Sequence, residues 1–376
     1  MLKHIKKSTF LLICLGMFVV LLGAMVLGIN LGAVELRPDW ISKIIVNNIT
    51  GREVFLQEWG KSAQSIVWGM RFPKVIVCAC VGAGLTLTGI LMQAMTRNSL
   101  ADPYILGISS GASTGATAIL LMAGAFPIFQ NITVGAGAFA GAMLSSVIVM
   151  ILGGASGRFS PGKLVLSGTA VSAIFHAVTN LLIFLSPDKR KVSSALFWME
   201  GSFSSAEWKD VLPAILTLAA IFCVAMLLNR SLDTLLLGED IAITVGVNVH
   251  LMKLIIVVSS SLITGIMVSM SGCIGFVGLI VPHIARTMIG TVHRRMIPFA
   301  MLLGAIFMVL ADMFARIIVA PSELPIGVVT ALLGAPFFLA MLRKSGYSFS
   351  KYEQKYESDI KCKKSKFFGK GQRTHS

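Results

Sequence analysis

The chain has 376 residues, of which 55% are hydrophobic and only 13% charged, with a mean hydropathy of +0.83. Soluble domains carry about 25% charged residues, so this composition excludes a soluble globular protein and defines an integral membrane protein. The formal net charge is +15, and basic residues gather at both ends of the chain.

A helix needs about 20 apolar residues to cross roughly 30 Å of hydrocarbon. Cutting the chain at its polar and Gly/Pro-rich breaks predicts ten spans, at 9–28, 73–92, 107–125, 133–153, 163–185, 211–228, 251–270, 274–289, 297–320 and 326–342. Pro282, His283 and Arg286 interrupt the eighth. Lys3, Lys6 and Lys7 precede the first span, and Arg343 and Lys344 follow the last; by the positive-inside rule both termini are cytoplasmic, as an even number of spans requires. The loops between carry little bias. The N-terminus has the basic start of a signal peptide, but its apolar run is too long and lacks a small-x-small cleavage site, so a retained first helix is expected.

The spans are rich in glycine. Gly107, Gly111 and Gly115 recur at four-residue spacing, as do Gly137 and Gly141, and small-xxx-small faces let helices approach closely in a membrane. Two segments, "TRNSLADPYILGISSG" and "SGCIGFVGLIVPHIARTMIG", mix Gly, Pro and polar residues into membrane sequence. Irregular backbone survives there only where protein or a water-filled cavity satisfies it, and interrupted helices point to a transport pathway.

Ionisable residues inside spans are costly. Asp312 and Arg316 stand at i, i+4 in the ninth span and can pair, either as a structural ion pair or with a docking or pathway role. His283 lies near the end of its span, where capping or packing competes with proton relay or metal binding. The six cysteines show no pairing framework, and Cys78 and Cys80, two apart on a helix, point to different sides. No catalytic or metal-binding motif occurs. The one GKS, at 60–62, has Phe55 where a phosphate-binding loop needs glycine. The basic tail, 347–376, suits anionic lipid headgroups beside a last span better than nucleic acid.

The stretch "SLDTLLLGEDIAITVGVNVH", 231–250, stands apart as a mixed-polarity loop between the sixth and seventh spans. Leu232, Leu235 and Leu236 share one face of a short helix, Gly238 breaks it, Ile241 and Val245 share a face of a second, and Gly246 is a natural stop. Helices this short need a partner. The membrane surface is one candidate, but Glu239 and Asp240 without balancing cations fit anionic lipid poorly. A cytoplasmic protein fits better.

Within this loop "LLLGEDIAITVGVNV" resembles the coupling loop of the FecCD-type ABC importer permeases, which take up iron-siderophores, haem and cobalamin. Similar motifs follow in family order, among them "MRFPKVIVCACVGAGLTLTGILMQAMTRNSLADPYILGISSGA", "WMEGSFSSAEW", "GCIGFVGLIVPHIAR", "HRRMIPFAMLLGAIFMVLADMFAR" and "ELPIGVVTALLGAPFFLAML". The resemblance implies an all-α membrane protein with about ten transmembrane helices, the permease subunit of a type II ABC importer. Its permease domain covers 1–346, and it lies in the bacterial cytoplasmic membrane. It pairs with a second permease copy or a close relative, takes cargo from an extracytoplasmic binding protein, and is driven by two cytoplasmic ATPase subunits that consume ATP and Mg, so the chain itself binds no cofactor and catalyses nothing.

Carried over residue by residue, Gly238, Glu239, Asp240, Ile241, Ala242 and Gly246 fall on the coupling motif, with Ile243 where the family often has a basic residue. Ser160, Pro161 and Gly162, in "RFSPGKLVLSG", match an inner gate. Cobalamin permeases carry hydroxyl residues at the positions of Pro161 and Gly162, which favours an iron-chelate importer, with a haem or cobalamin importer as the alternative. Arg71, Lys74 and Arg316 match basic residues that the family presents to the binding protein, with snorkelling at the membrane boundary as the plainer role for Lys74. An ion-coupled secondary transporter is the competing class; it needs acidic or His residues at mid-membrane, of which the spans offer almost none beyond Asp312. A membrane-embedded enzyme would need the catalytic constellation that is missing.

Overall fold

The computed structural model describes residues 6–32, 34–123, 130–154, 161–320, 322–341 and 343. Their regular structure is helical: α1 (Lys7–Asn30), α2 (Pro38–Thr50), α3 (Lys61–Gln64), α4 (Phe72–Thr96), α5 (Ile108–Met122), α6 (Val134–Gly154), α7 (Pro161–Leu185), α8 (Lys189–Met199), α9 (Trp208–Leu227), α10 (Asn229–Leu237), α11 (Glu239–Thr244), α12 (Val249–Ser271), α13 (Val277–Ile289), α14 (His293–Ile317) and α15 (Ile326–Met341). A π-helical turn, Ser65–Arg71, joins α3 to α4 without a break. The chain divides into two units, Met1–Ala331 and Leu332–Ser376. In the second, residues 332–341 are the end of α15, and the tail 347–376 lies outside the described residues.

Seven helices are long and apolar enough to cross a membrane; α5, α13 and α15 are shorter apolar helices. Together these ten correspond to the ten expected spans. The shortening has local causes. Asp102 accepts a hydrogen bond from Tyr104 N and opens a 3-10 turn, Pro103–Leu106, which Gly107 ends at φ 68°, so α5 begins only at Ile108. Ahead of α13, Gly272 and Phe276 both have positive φ, and for a bulky residue such as Phe276 that is a strained conformation.

Sequence reasoning about apolar 20-residue runs passed over α2 and α8. Pro38 opens α2 and Gly51 closes it in the left-handed region, the usual start and stop signals, while Ile41 and Ile44 are buried on one face. In α8 the Asp188 carboxylate accepts from Arg190 N and Lys191 N, an N-cap that frees the helix from any need of apolar length.

α4 is the centre of the first unit, buried almost throughout, with α14, α12, α13 and α9 packed around it. Lipid offers no hydrophobic drive for such packing, so close approach supplies it. A Cβ on Gly82 would lie 2.3 Å from the carbonyl oxygen of Gly304 in α14, and one on Gly89 would lie 1.8 Å from that of Gly278 in α13.

Candidate functional site: the exposed loop and the interrupted helices

The loop at 231–250 folds as two short helices. Leu232 and Leu235 in α10 and Ala242 in α11 are fully buried, whereas Leu237, Ile241, Ile243 and Val245 are exposed. Gly238 joins the helices at φ 133°, and Gly246 ends α11 at φ 90°, backbone that other residues rarely adopt. Glu239 and Asp240 open α11. Contrary to the expectation of an unbalanced acidic pair, Glu239 meets Lys253 of α12 at 2.7 Å. Asp240 is exposed. The loop therefore presents an apolar face while its own polar contacts point inward.

α10 is also held from α14. One Asp233 carboxylate oxygen accepts from His293 N at 3.0 Å and lies 2.6 Å from His293 Nδ1. Sequence reasoning missed both contacts, although Lys253 inside an apolar span was a readable signal.

At the other end of the bundle, where α1 ends and α4 begins, the three cations expected to be presented outward are buried. Arg71 and Lys74 are 6% and 7% exposed and Arg316 is 4% exposed. Arg71 donates to the carbonyls of Ile29 and Asn30, and Arg316 to those of Leu31 and Gly28. These are the acceptors that a helix C-terminus leaves unpaired. Arg316 also pairs with Asp312 at 2.9 Å, and Lys74 lies between Glu323 at 3.0 Å and Asp312 at 3.8 Å. These contacts form a clamp on the end of α1, in which Arg316 and Lys74 have carboxylate partners and Arg71 backbone carbonyls. Asp312→Asn would take from the buried Arg316 its carboxylate partner and leave Lys74 with Glu323 alone, and is expected to destabilise the subunit by about 3–5 kcal/mol. Thermal unfolding in detergent measures this, and an unchanged midpoint would show that the clamp holds nothing.

The glycines at 107–115 lie along α6. A Cβ on Gly111 would stand 2.3 Å from Gly141 O, one on Gly115 2.0 Å from Gly137 O, and one on Gly107 2.6 Å from Ser145 Oγ. The two interrupted segments meet each other. Tyr104 Oη donates to Ile274 O at 2.9 Å and accepts from Ile274 N at 3.0 Å, satisfying backbone that no helix serves. Cys273 Sγ lies 3.4 Å from Ser113 Oγ, and Gly327 N donates to Glu200 O at 3.0 Å. Deeper in α13, Arg286 donates to the buried Gln93 of α4 at 2.8 Å.

α7 packs on one face only. Leu164, Val171 and Thr179 are buried, while Thr169, His176 and Asn180 are exposed within the span. Polar groups on a lipid-facing surface are expensive, so this stripe suits a protein or aqueous neighbour. His176 is a titratable residue within a span that the sequence reading did not single out. Of the expected gate residues, Pro161 and Gly162 open α7, proline fitting a first helical turn; Ser160 lies outside the described residues. Cys78 and Cys80 are buried free thiols. Among the described residues, no group of three or more His, Cys, Asp or Glu is arranged to hold a metal ion.

A helical bundle with glycine seams, helices broken against one another and an apolar loop outside the spans has the anatomy of a membrane permease. Residues 17–344 match the FecCD transport family, and the chain belongs to that family. It is 39% identical over 283 residues to the cobalamin import system permease protein BtuC of Halobacterium salinarum, covering 75% of this chain and 74% of that one. It is 38% identical over 291 residues to the Fe(3+)-citrate import system permease protein YfmD of Bacillus subtilis, covering 77% and 85%. Among solved structures it resembles one described as "an inward-facing conformation of a putative metal-chelate type ABC transporter", with a TM-score of 0.73 and 30% identity over 88% of this chain and 99% of that one.

Proposed function

We propose that this permease is one of two membrane subunits of an ATP-driven importer that moves an iron chelate, a ferric siderophore in the first instance, across the bacterial cytoplasmic membrane. The observation that carries the reading is the loop of α10 and α11, which is braced from within yet exposes Leu237, Ile241, Ile243 and Val245. Apolar side chains held outward on a rigid support suit a protein partner, and a cytoplasmic ATPase is the partner that the family's transport chemistry requires. ATP and Mg belong to that partner. With both termini cytoplasmic, the loop faces the ATPase and the opposite end of the bundle faces an extracytoplasmic binding protein.

The second permease subunit covers the polar stripe of α7, and the chelate passes between the two copies. Thr169, His176 and Asn180 are weakly polar groups with few charges among them, a lining that releases a bulky chelate instead of trapping it. Pro161 and Gly162, where cobalamin permeases carry hydroxyls, favour iron chelates; the relatives do not decide the matter, with 39% identity to a cobalamin permease and 38% to an Fe(3+)-citrate permease. Uptake of labelled ferric siderophores, ferric citrate, haem and cobalamin by cells with and without this chain tests the assignment. Loss of ferric-chelate uptake alone is expected; loss of cobalamin or haem uptake instead would overturn the substrate class.

A further inference from the structure

The two polar contacts that tie the exposed loop to the bundle join different helices. Asp233 of α10 caps the first residue of α14 through His293 N and faces its ring at 2.6 Å, and the His293 side chain is buried. Glu239, the first residue of α11, holds Lys253 in the first turns of α12 at 2.7 Å, and Lys253 is buried as well. Helices α12 and α14 both pack on the central α4.

Leu232, Leu235 and Ala242 anchor the loop by apolar contact, which has no direction and allows one surface to slide over another. Hydrogen bonds to buried partners do have direction, and a partner stripped of its mate inside protein is costly. With these contacts intact, displacement of α10 and α11 bears on the starts of α14 and α12 through directional bonds as well as through packing and the short link to α12. Without them only packing and that link remain.

We infer that Asp233, His293, Glu239 and Lys253 are positioning residues that convert movement of the ATPase-facing loop into movement of α14 and α12. The inference rests on the reading of 231–250 as the ATPase-coupling segment. Neither Asp233 nor Lys253 contributes to the exposed apolar face or to the coupling motif, so altering those two should leave the docking of the ATPase intact.

The test uses the whole transporter in proteoliposomes, with ATP hydrolysis and uptake of ferric chelate measured on the same vesicles. Asp233→Asn and Lys253→Met are expected to assemble with the ATPase and hydrolyse ATP, but to import fewer chelates per ATP, by about two- to thirty-fold, the range found for coupling residues remote from a ligand. The exchange Glu239→Lys with Lys253→Glu keeps one charge of each sign across the gap and is expected to recover part of the ratio. If a single variant does not accumulate, the exchange variant against Glu239→Lys alone gives the same comparison. Equal chelates per ATP in wild type and assembled variants would overturn the inference. Ile241→Asp is measured alongside: if it leaves ATPase binding unchanged, it is the loop's coupling role that fails, independently of the braces.

Discussion

Leucine in place of Gly89 or Gly115 is expected to remove the folded subunit from the membrane. A Cβ at Gly89 would fall 1.8 Å from Gly278 O, and one at Gly115 2.0 Å from Gly137 O. Both obstacles are backbone, so no side-chain rotation relieves them and the helices must part. Separating α4 from α13, or α5 from α6, forfeits dispersion contacts along the whole seam. The cost should exceed about 4 kcal/mol, beyond the ordinary range for single substitutions and a large part of the roughly 5–15 kcal/mol that stabilises a typical domain. Gly23→Leu is the control, because a Cβ at Gly23 meets nothing within 4 Å. Size-exclusion profiles of tagged variants in detergent give the readout. Monodisperse Gly89→Leu or Gly115→Leu at wild-type amounts would remove these glycines from the packing account.

The second large effect belongs to the exposed loop. Ile241 is 47% exposed, Ile243 60% and Val245 66%, so the double substitution Ile241→Asp with Ile243→Asp alters the presented face and leaves the interior alone. Burying one such side chain is worth about 1.5–3 kcal/mol. Losing two from an interface, with two carboxylates to desolvate in addition, should weaken ATPase binding by more than about a hundredfold. Titrating purified ATPase onto the detergent-solubilised permease measures this. Unchanged affinity would show that the ATPase binds elsewhere. Glu239→Arg is a poorer probe of that face, because Glu239 is engaged with Lys253.

What could be read from the sequence was what repeats or lies close along the chain. Ten apolar stretches, the glycine spacing and the Asp312–Arg316 pair at i, i+4 are all of this kind. The two-helix form of the loop was legible because Gly238 and Gly246 punctuate leucine and isoleucine at helical spacing. Partners distant in sequence were not legible. Arg71 meets Ile29 and Asn30 across 42 and 41 residues, and Asp233 meets His293 across 60.

A cation at a span boundary reads as a group facing water. Only the folded chain reveals that the unpaired carbonyls ending α1 lie within reach of Arg71 and Arg316. The same limit hid the role of Tyr104, whose two bonds to Ile274 span 170 residues. In the proposed importer, docking of a binding protein at that end of the bundle would fall to exposed groups rather than to the buried clamp. Charge reversal of Arg71 or Arg316 should act on stability before it acts on association.

ATP-driven import of an iron chelate through this permease is measured by uptake into proteoliposomes that hold the complete transporter. Labelled ferric chelate on its binding protein is supplied on one side and ATP on the other, with and without an ionophore that collapses the ion gradients. Uptake that requires ATP and persists in the presence of the ionophore is the predicted result. Uptake that continues without ATP and stops when the gradients collapse would contradict it, and would identify the chain as an ion-coupled carrier.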